Sequence, residues 1–207
     1  MARIRVLAAR VRRLPVTIGY FRGPFWMSAL RKRWVLFRNP HATISFGRGT
    51  HLGPGFSLHM PYGGTFVTGV GVEFRRNFRA ELGGPEARIE FGDHCVCTYD
   101  VLMQCSTSIK IGDRCQFGQA TIVLDGNHRF RDLDRPMLDQ GYEWREIRIE
   151  HDATVLSKCT ILAAIGTRSM IGANAVVTKP VPPYTVAVGV PARAIEYFGP
   201  VEAETPA

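Results

Sequence analysis

Apolar residues recur every six positions over long stretches of this chain, a period that belongs neither to an α-helix nor to an alternating strand. Phe46, Leu52 and Leu58, then Ile111, Phe117 and Val123, then Ile149, Val155 and Ile161, then Ile165, Ile171 and Val177 put an apolar residue at all twelve positions of the register. With 45% hydrophobic residues overall, chance would fill about half of them. Glycine follows six of these anchors (Gly47, Gly53, Gly112, Gly118, Gly166 and Gly172), which predicts tight turns of positive φ there. Four residues after the anchor stand Thr50, Phe56, Cys115, Thr121, Ala153, Cys159, Ser169 and Ala175, seven of the eight small.

A six-residue unit of this kind is one short strand and a turn. Three units close a triangular coil of about eighteen residues with its anchors inward, and coils stack about 4.8 Å apart as parallel sheets on three flat faces. The narrow interior explains the small residues. Residues 44 to 178 have room for five or six coils, with 66 to 107 the least regular. Between Ile161 and Ile165 the spacing is four and not six, which predicts a displaced face at that level. The stretch from Asp125 to Glu146 is too polar for coil interior and reads as a loop mounted on the scaffold, where sites are commonly built. Beyond Arg193 a short helix and a frayed tail are expected.

Charge is distributed unevenly. Eleven Arg and Lys residues precede the first acidic residue, Glu73, whereas residues 73 to 207 carry fifteen basic and eighteen acidic residues, a net −3. Ile4, Leu7, Val11 and Leu14 fall at helical spacing among five arginines, followed by Tyr20, Phe21, Phe25, Trp26 and the run Arg31-Lys32-Arg33-Trp34. Residues 1–38 therefore suit an anionic membrane leaflet, and equally suit a helix that caps the open end of a solenoid. Nucleic-acid stacking motifs are not evident. Arginine interrupts every apolar stretch of the first thirteen residues and no run approaches the roughly 20 residues of a membrane span, so the sequence implies a cytoplasmic protein, peripheral at the inner face of the membrane if the basic segment binds lipid. The five cysteines (Cys95, Cys97, Cys105, Cys115, Cys159) have no metal-type spacing and read as small core residues.

With Ile111-Gly112-Asp113, the segment Leu124-Asp125-Gly126-Asn127-His128, and the closing run from Ile171 through Val177-Thr178-Lys179-Pro180 to Gly189-Val190-Pro191-Ala192-Arg193, the chain resembles the hexapeptide-repeat acyltransferases, in particular the maltose, galactoside and polysaccharide O-acetyltransferase branch. The resemblance implies an all-β solenoid, a left-handed parallel β-helix, over residues 44–195, with an active-site loop around 125–147, a basic N-terminal segment 1–43 and a tail 196–207. It implies transfer of an acetyl group from acetyl-CoA to a hydroxyl of a sugar or glycan precursor, in surface polysaccharide or glycolipid assembly, by a homotrimer with sites between subunits and no metal.

Histidine is suited to take a proton from a sugar hydroxyl near neutral pH. His41, His51, His59, His94 and His151 lie in or beside repeat turns, while His128 lies where a coil opens into the polar loop and matches the family's catalytic histidine. Asp125 and Asn127 share its loop, Asp125 either supporting the histidine or capping a turn. By resemblance the Ser157 amide serves the oxyanion, Ala173, Thr178 and Lys179 the pantetheine arm, and Arg193 the phosphates. Thr98 and Asp100, one coil earlier, and Trp144 and Arg145 in the loop are the candidate acceptor contacts. Thr154, Leu156 and Glu150 depart from the family pattern beside the cofactor groove. Competing readings are sugar N-acetylation, a zinc enzyme of the γ-carbonic anhydrase kind, for which the spacing of His94, His128 and His151 is wrong, and a non-catalytic scaffold.

Overall fold

A computed structural model describes residues 25–200. Helix α1 (Phe25–Arg38) is followed by a parallel β-helix whose short strands fall into three sheets. Sheet A stacks β1 (Thr43–Phe46), β4 (Thr65–Thr68), β7 (Arg88–Phe91), β10 (Ser108–Ile111) and β15 (Ile147–Ile149). Sheet B stacks β2 (His51–Leu52), β5 (Glu73–Phe74), β8 (Val96–Cys97), β11 (Gln116–Phe117), β16 (Thr154–Val155), β18 (Met170–Ile171) and β20 (Thr185–Val188). Sheet C stacks β3 (Ser57–His59), β6 (Arg79–Leu82), β9 (Leu102–Cys105), β12 (Ile122–Leu124), β17 (Thr160–Ile161) and β19 (Val176–Val177). The chain visits A, B and C in turn six times.

Eleven of the twelve anchors of the six-residue register are buried, and Phe46, in the first coil, packs half-exposed against the core. Two of the three corners keep a constant length. From sheet A to B (Thr68 to Phe74, Ile111 to Phe117) and from B to C (Phe74 to Ala80, Phe117 to Val123) the paired positions lie six residues apart at every level. The corner from C back to A absorbs all the variation: ten residues from Leu58 to Thr68, eleven from Ala80 to Phe91, eight from Met103 to Ile111, 26 from Val123 to Ile149, and four from Ile161 to Ile165. The four-residue spacing recurs from Val177 to Val181, and at both levels sheet A is reduced to a single bridge, Ile149 to Ile165 to Val181. The displaced face is therefore a narrowing of the whole coil.

Core residues follow the circumference. Four residues after the sheet B anchors, the column reads Phe56, Phe78, Val101, Thr121, Cys159, Ala175. The wide first coils are filled by packed rings, Phe56 stacked on Phe78 at 5.3 Å and Phe74 tilted against Phe78 at 4.4 Å, and the narrow last ones by alanine and cysteine. All five thiols are buried and free, and burial pushes that of Cys105 up to about 12.

Positive φ occurs three residues after the anchor, at Arg114, Ala120, Lys158 and Asn174 among others, and not at the glycine that follows the anchor. That glycine answers a different need: a Cβ on Gly112 would lie 2.6 Å from the His151 amide of the next coil. A second correction concerns the C-terminus, where the expected short helix is a strand. β21 (Arg193–Tyr197) folds back antiparallel on β20 and closes that end of sheet B. At the other end α1 docks on the first coil: the Leu52 amide donates to Ser28 Oγ at 2.9 Å and Arg31 donates to the Leu52 carbonyl at 2.8 Å. The helical spacing read over residues 1–14 lies outside the described residues.

Candidate active site

The 26-residue excursion at the fourth C–A corner is a β-hairpin and not an irregular loop. β13 (Gly126–His128) pairs antiparallel with β14 (Tyr142–Trp144), with His128 opposite Tyr142 and Gly126 opposite Trp144. Side chains alternate across such a pair, so His128, Tyr142 and Trp144 share one face. Their rings are in contact in sequence: His128 and Tyr142 have centroids 4.3 Å apart and are tilted by 41°, and Tyr142 and Trp144 stack 4.8 Å apart at 14°. Trp144 lies flat on Gly126, where any side chain would collide with the indole. Tyr142 had no distinguishing signal in the sequence beyond its place two residues before Trp144, since its role depends on a pairing partner across the hairpin.

Residues 129–140 between the strands are tied by Gln140, which accepts from the Asp132 amide at 3.0 Å and donates to the Asp132 and Arg135 carbonyls. They form, with His128 and Glu143, a pocket of about 340 Å³ that includes Arg129, Arg131 and Arg135. At the hairpin base a second pocket, of about 170 Å³, is lined by Asp125, Asn127, Arg145, Leu162 and Thr178. Asp125 is buried, and its carboxylate accepts from the amides of Ser106 and Thr107 and from the Thr107 hydroxyl at 2.6–3.0 Å. It holds the preceding coil's corner, the turn-capping alternative, with no hydrogen bond to His128. Arg145 turns to the other face of the hairpin and lies 3.7 Å from Glu143.

The remaining predicted residues divide between two edges. Asn127, His128, Trp144, Thr178 and Lys179 lie at the C–A edge. Thr98, Asp100, Ser157 and Ala173 lie at the B–C edge, on the opposite margin of sheet C. Arg193 joins them, since residues 189–192 bond to Val176, the first residue of β19, before β21 begins. Thr98 and Asp100 are at the level expected but on the edge away from His128, their side chains bonded to the Phe117 carbonyl and to Asn77.

Along both edges of sheet B, the amide two residues past the anchor points out at the corner. At the A–B corners the amides of Val70, Asp93 and Asp113 are each capped by a side chain from the next coil, Asp93, Asp113 and His151 respectively, at 2.7–3.0 Å. At the equivalent B–C positions the amides of Tyr99, Gln119, Ser157 and Ala173 have no partner among the described residues, and neither do those of His151 and Thr167 at the A–B corners of the last coils. Unused N–H groups in a row along an open edge are donors for a ligand. Among the described residues no group of three or more His, Cys, Asp or Glu side chains could hold a metal ion, and no helix is long and apolar enough to cross a membrane.

No family model matches the sequence. The chain is similar to the probable acetyltransferase Rv3034c of Mycobacterium tuberculosis, 31% identical over 176 residues, which cover 81% of this chain and 57% of that protein. It thus spans little more than half of that relative. The hexapeptide-repeat containing acetyltransferase VCA0836 from Vibrio cholerae is 26% identical, with 95% of this chain and 93% of that one covered and a TM-score of 0.57. The same protein complexed with acetyl-CoA gives 28% identity over 74% and 73% of the two chains, with a TM-score of 0.53. AntD, an N-acyltransferase from Bacillus cereus, shares the fold at a TM-score of 0.66 with 16% identity, covering 84% of this chain and 90% of its own. In fold, then, the chain is similar to the hexapeptide-repeat containing acetyltransferases and shares their left-handed parallel β-helix.

Proposed function

We propose that the chain transfers an acetyl group from acetyl-CoA to a hydroxyl of a sugar or glycan precursor, as a homotrimer, with His128 as general base. The observation that carries the reading is the row of unpartnered B–C amides at Ser157 and Ala173, ending at the exposed guanidinium of Arg193. A pantetheine arm offers amides and carbonyls along its length, which such a row can meet, and Arg193 can pair bidentately with a phosphate. Thr178 and Lys179 stand beside the hairpin at the other edge. His128 and the B–C amides lie on different edges of one chain, so a second copy would bring its B–C edge to the first copy's hairpin, which supports sites between subunits.

Acetyl-CoA supplies an activated acetyl thioester. His128 takes the proton of the acceptor hydroxyl as its oxygen attacks, the Ser157 amide donates to the developing oxyanion, and the proton passes to the departing thiolate. Asp125 acts indirectly, by fixing the base of the hairpin that carries His128.

The test is CoA release with a panel of free and lipid-linked sugars. His128→Asn should lower turnover by about 100- to 10,000-fold with acetyl-CoA affinity retained. Turnover unchanged in His128→Asn would remove the base from His128, and acetylation of amino sugars alone would favour N-transfer.

A further inference from the structure

Helix α1 is inverted with respect to an ordinary surface helix. Its docked face carries Ser28 and Val35, 2% and 4% exposed, with Arg31 bonded to the first coil. The opposite face is apolar. Trp26, Leu30, Trp34 and Phe37 follow one another at helical spacing and are 63%, 50%, 58% and 75% exposed. Trp34 and Phe37 stack at 5.9 Å, and Arg38 lies 5.8 Å over the Trp34 ring. A contiguous aromatic stripe facing outward marks a contact surface.

The charge beside the stripe identifies its occupant. Arg33 and Arg38 flank it, α1 contains no acidic residue, and none occurs in the chain before Glu73. Residues 1–24 add six arginines and no acid, so by charge they do not complement this face. Tryptophan and phenylalanine flanked by arginine match the interface of a bilayer, where the rings sit at headgroup level and the guanidinium groups meet phosphates. We propose that the outer face of α1 docks the solenoid end-on to an anionic lipid leaflet. This placement does not depend on the transferase reading. It would set the coil axis away from the surface and leave the hairpin of the fourth coil facing the water layer above it.

The test is co-sedimentation of the full chain with vesicles of phosphatidylcholine alone or mixed with phosphatidylglycerol, at low and high salt. Binding is expected to the mixed vesicles only and to weaken with salt. Arg33→Gln with Arg38→Gln should weaken it about 30-fold, the loss of two charges at the surface. Trp34→Ser with Phe37→Ser should weaken it at least about tenfold. All four residues are exposed, but Trp34 and Arg38 also line a pocket against Ser57 and His59 of the first coil, so thermal melting checks that the fold and the docking of α1 are kept. Equal binding to neutral vesicles, no binding to either, or binding insensitive to both pairs overturns the proposal. A change of subunit number in Trp34→Ser with Phe37→Ser also overturns it, because a second copy would then be the occupant.

Discussion

His128 is exposed, and what restrains its ring is the neighbour on the facing strand, Tyr142, whose centroid is 4.3 Å away. Aromatic contacts of this kind are worth about 0.5–1.5 kcal/mol, enough to change turnover by up to about tenfold if the contact holds the imidazole in its working orientation. Tyr142→Ala should therefore lower kcat by up to about tenfold with little effect on KM for acetyl-CoA, and Tyr142→Phe should restore it. A rise in KM with kcat unchanged, or failure of phenylalanine to rescue, would show that the ring serves binding or the phenol and not the orientation of His128. The sequence singled out His128 but not this partner, because Tyr142 and His128 are fourteen residues apart and meet only through the hairpin register. Asp125 shows the reverse: its place beside His128 in sequence suggested catalytic support, whereas its carboxylate serves Ser106 and Thr107 of the coil below.

At the scale of the element, the corner rule explains what could be read in advance. Wherever a stretch runs through sheets A, B and C without crossing the C–A corner the period is six, so Ile111-Phe117-Val123 and Ile149-Val155-Ile161 stood out. Residues 66–107 were obscure because C–A corners of ten, eleven and eight residues interrupt the period, a polar Thr68 takes an inward place in sheet A, and Arg75 and Thr98 replace glycine after their anchors. The strand β21 was missed for another reason. It exists to close the last edge of sheet B, and no local pattern in Arg193–Tyr197 announces that edge. The tapering column makes a prediction of its own. Phe78 is fully buried against Phe56, Phe74 and Phe91, in coils too wide for alanine to fill. Phe78→Ala should cost about 3–5 kcal/mol in denaturant unfolding, and a loss below about 1 kcal/mol would mean that the first coils collapse around the cavity.

For the whole molecule, the division of chemistry between two edges is the organising fact. The C–A corner, free to vary in length, carries the hairpin with His128, while the B–C corner, fixed at six residues, keeps its amides at a constant rise and leaves them open. The proposed site needs both, from one copy and its neighbour. Its most direct test is titration of the full chain with acetyl-CoA by calorimetry, on the wild type and on His128→Ala and Arg193→Ala. The wild type should bind, His128→Ala should bind as tightly, and Arg193→Ala should lose about tenfold, the worth of one charge-assisted phosphate contact. No binding by the wild type, or equal binding by Arg193→Ala, would contradict the assignment of the B–C edge as the acetyl-CoA groove.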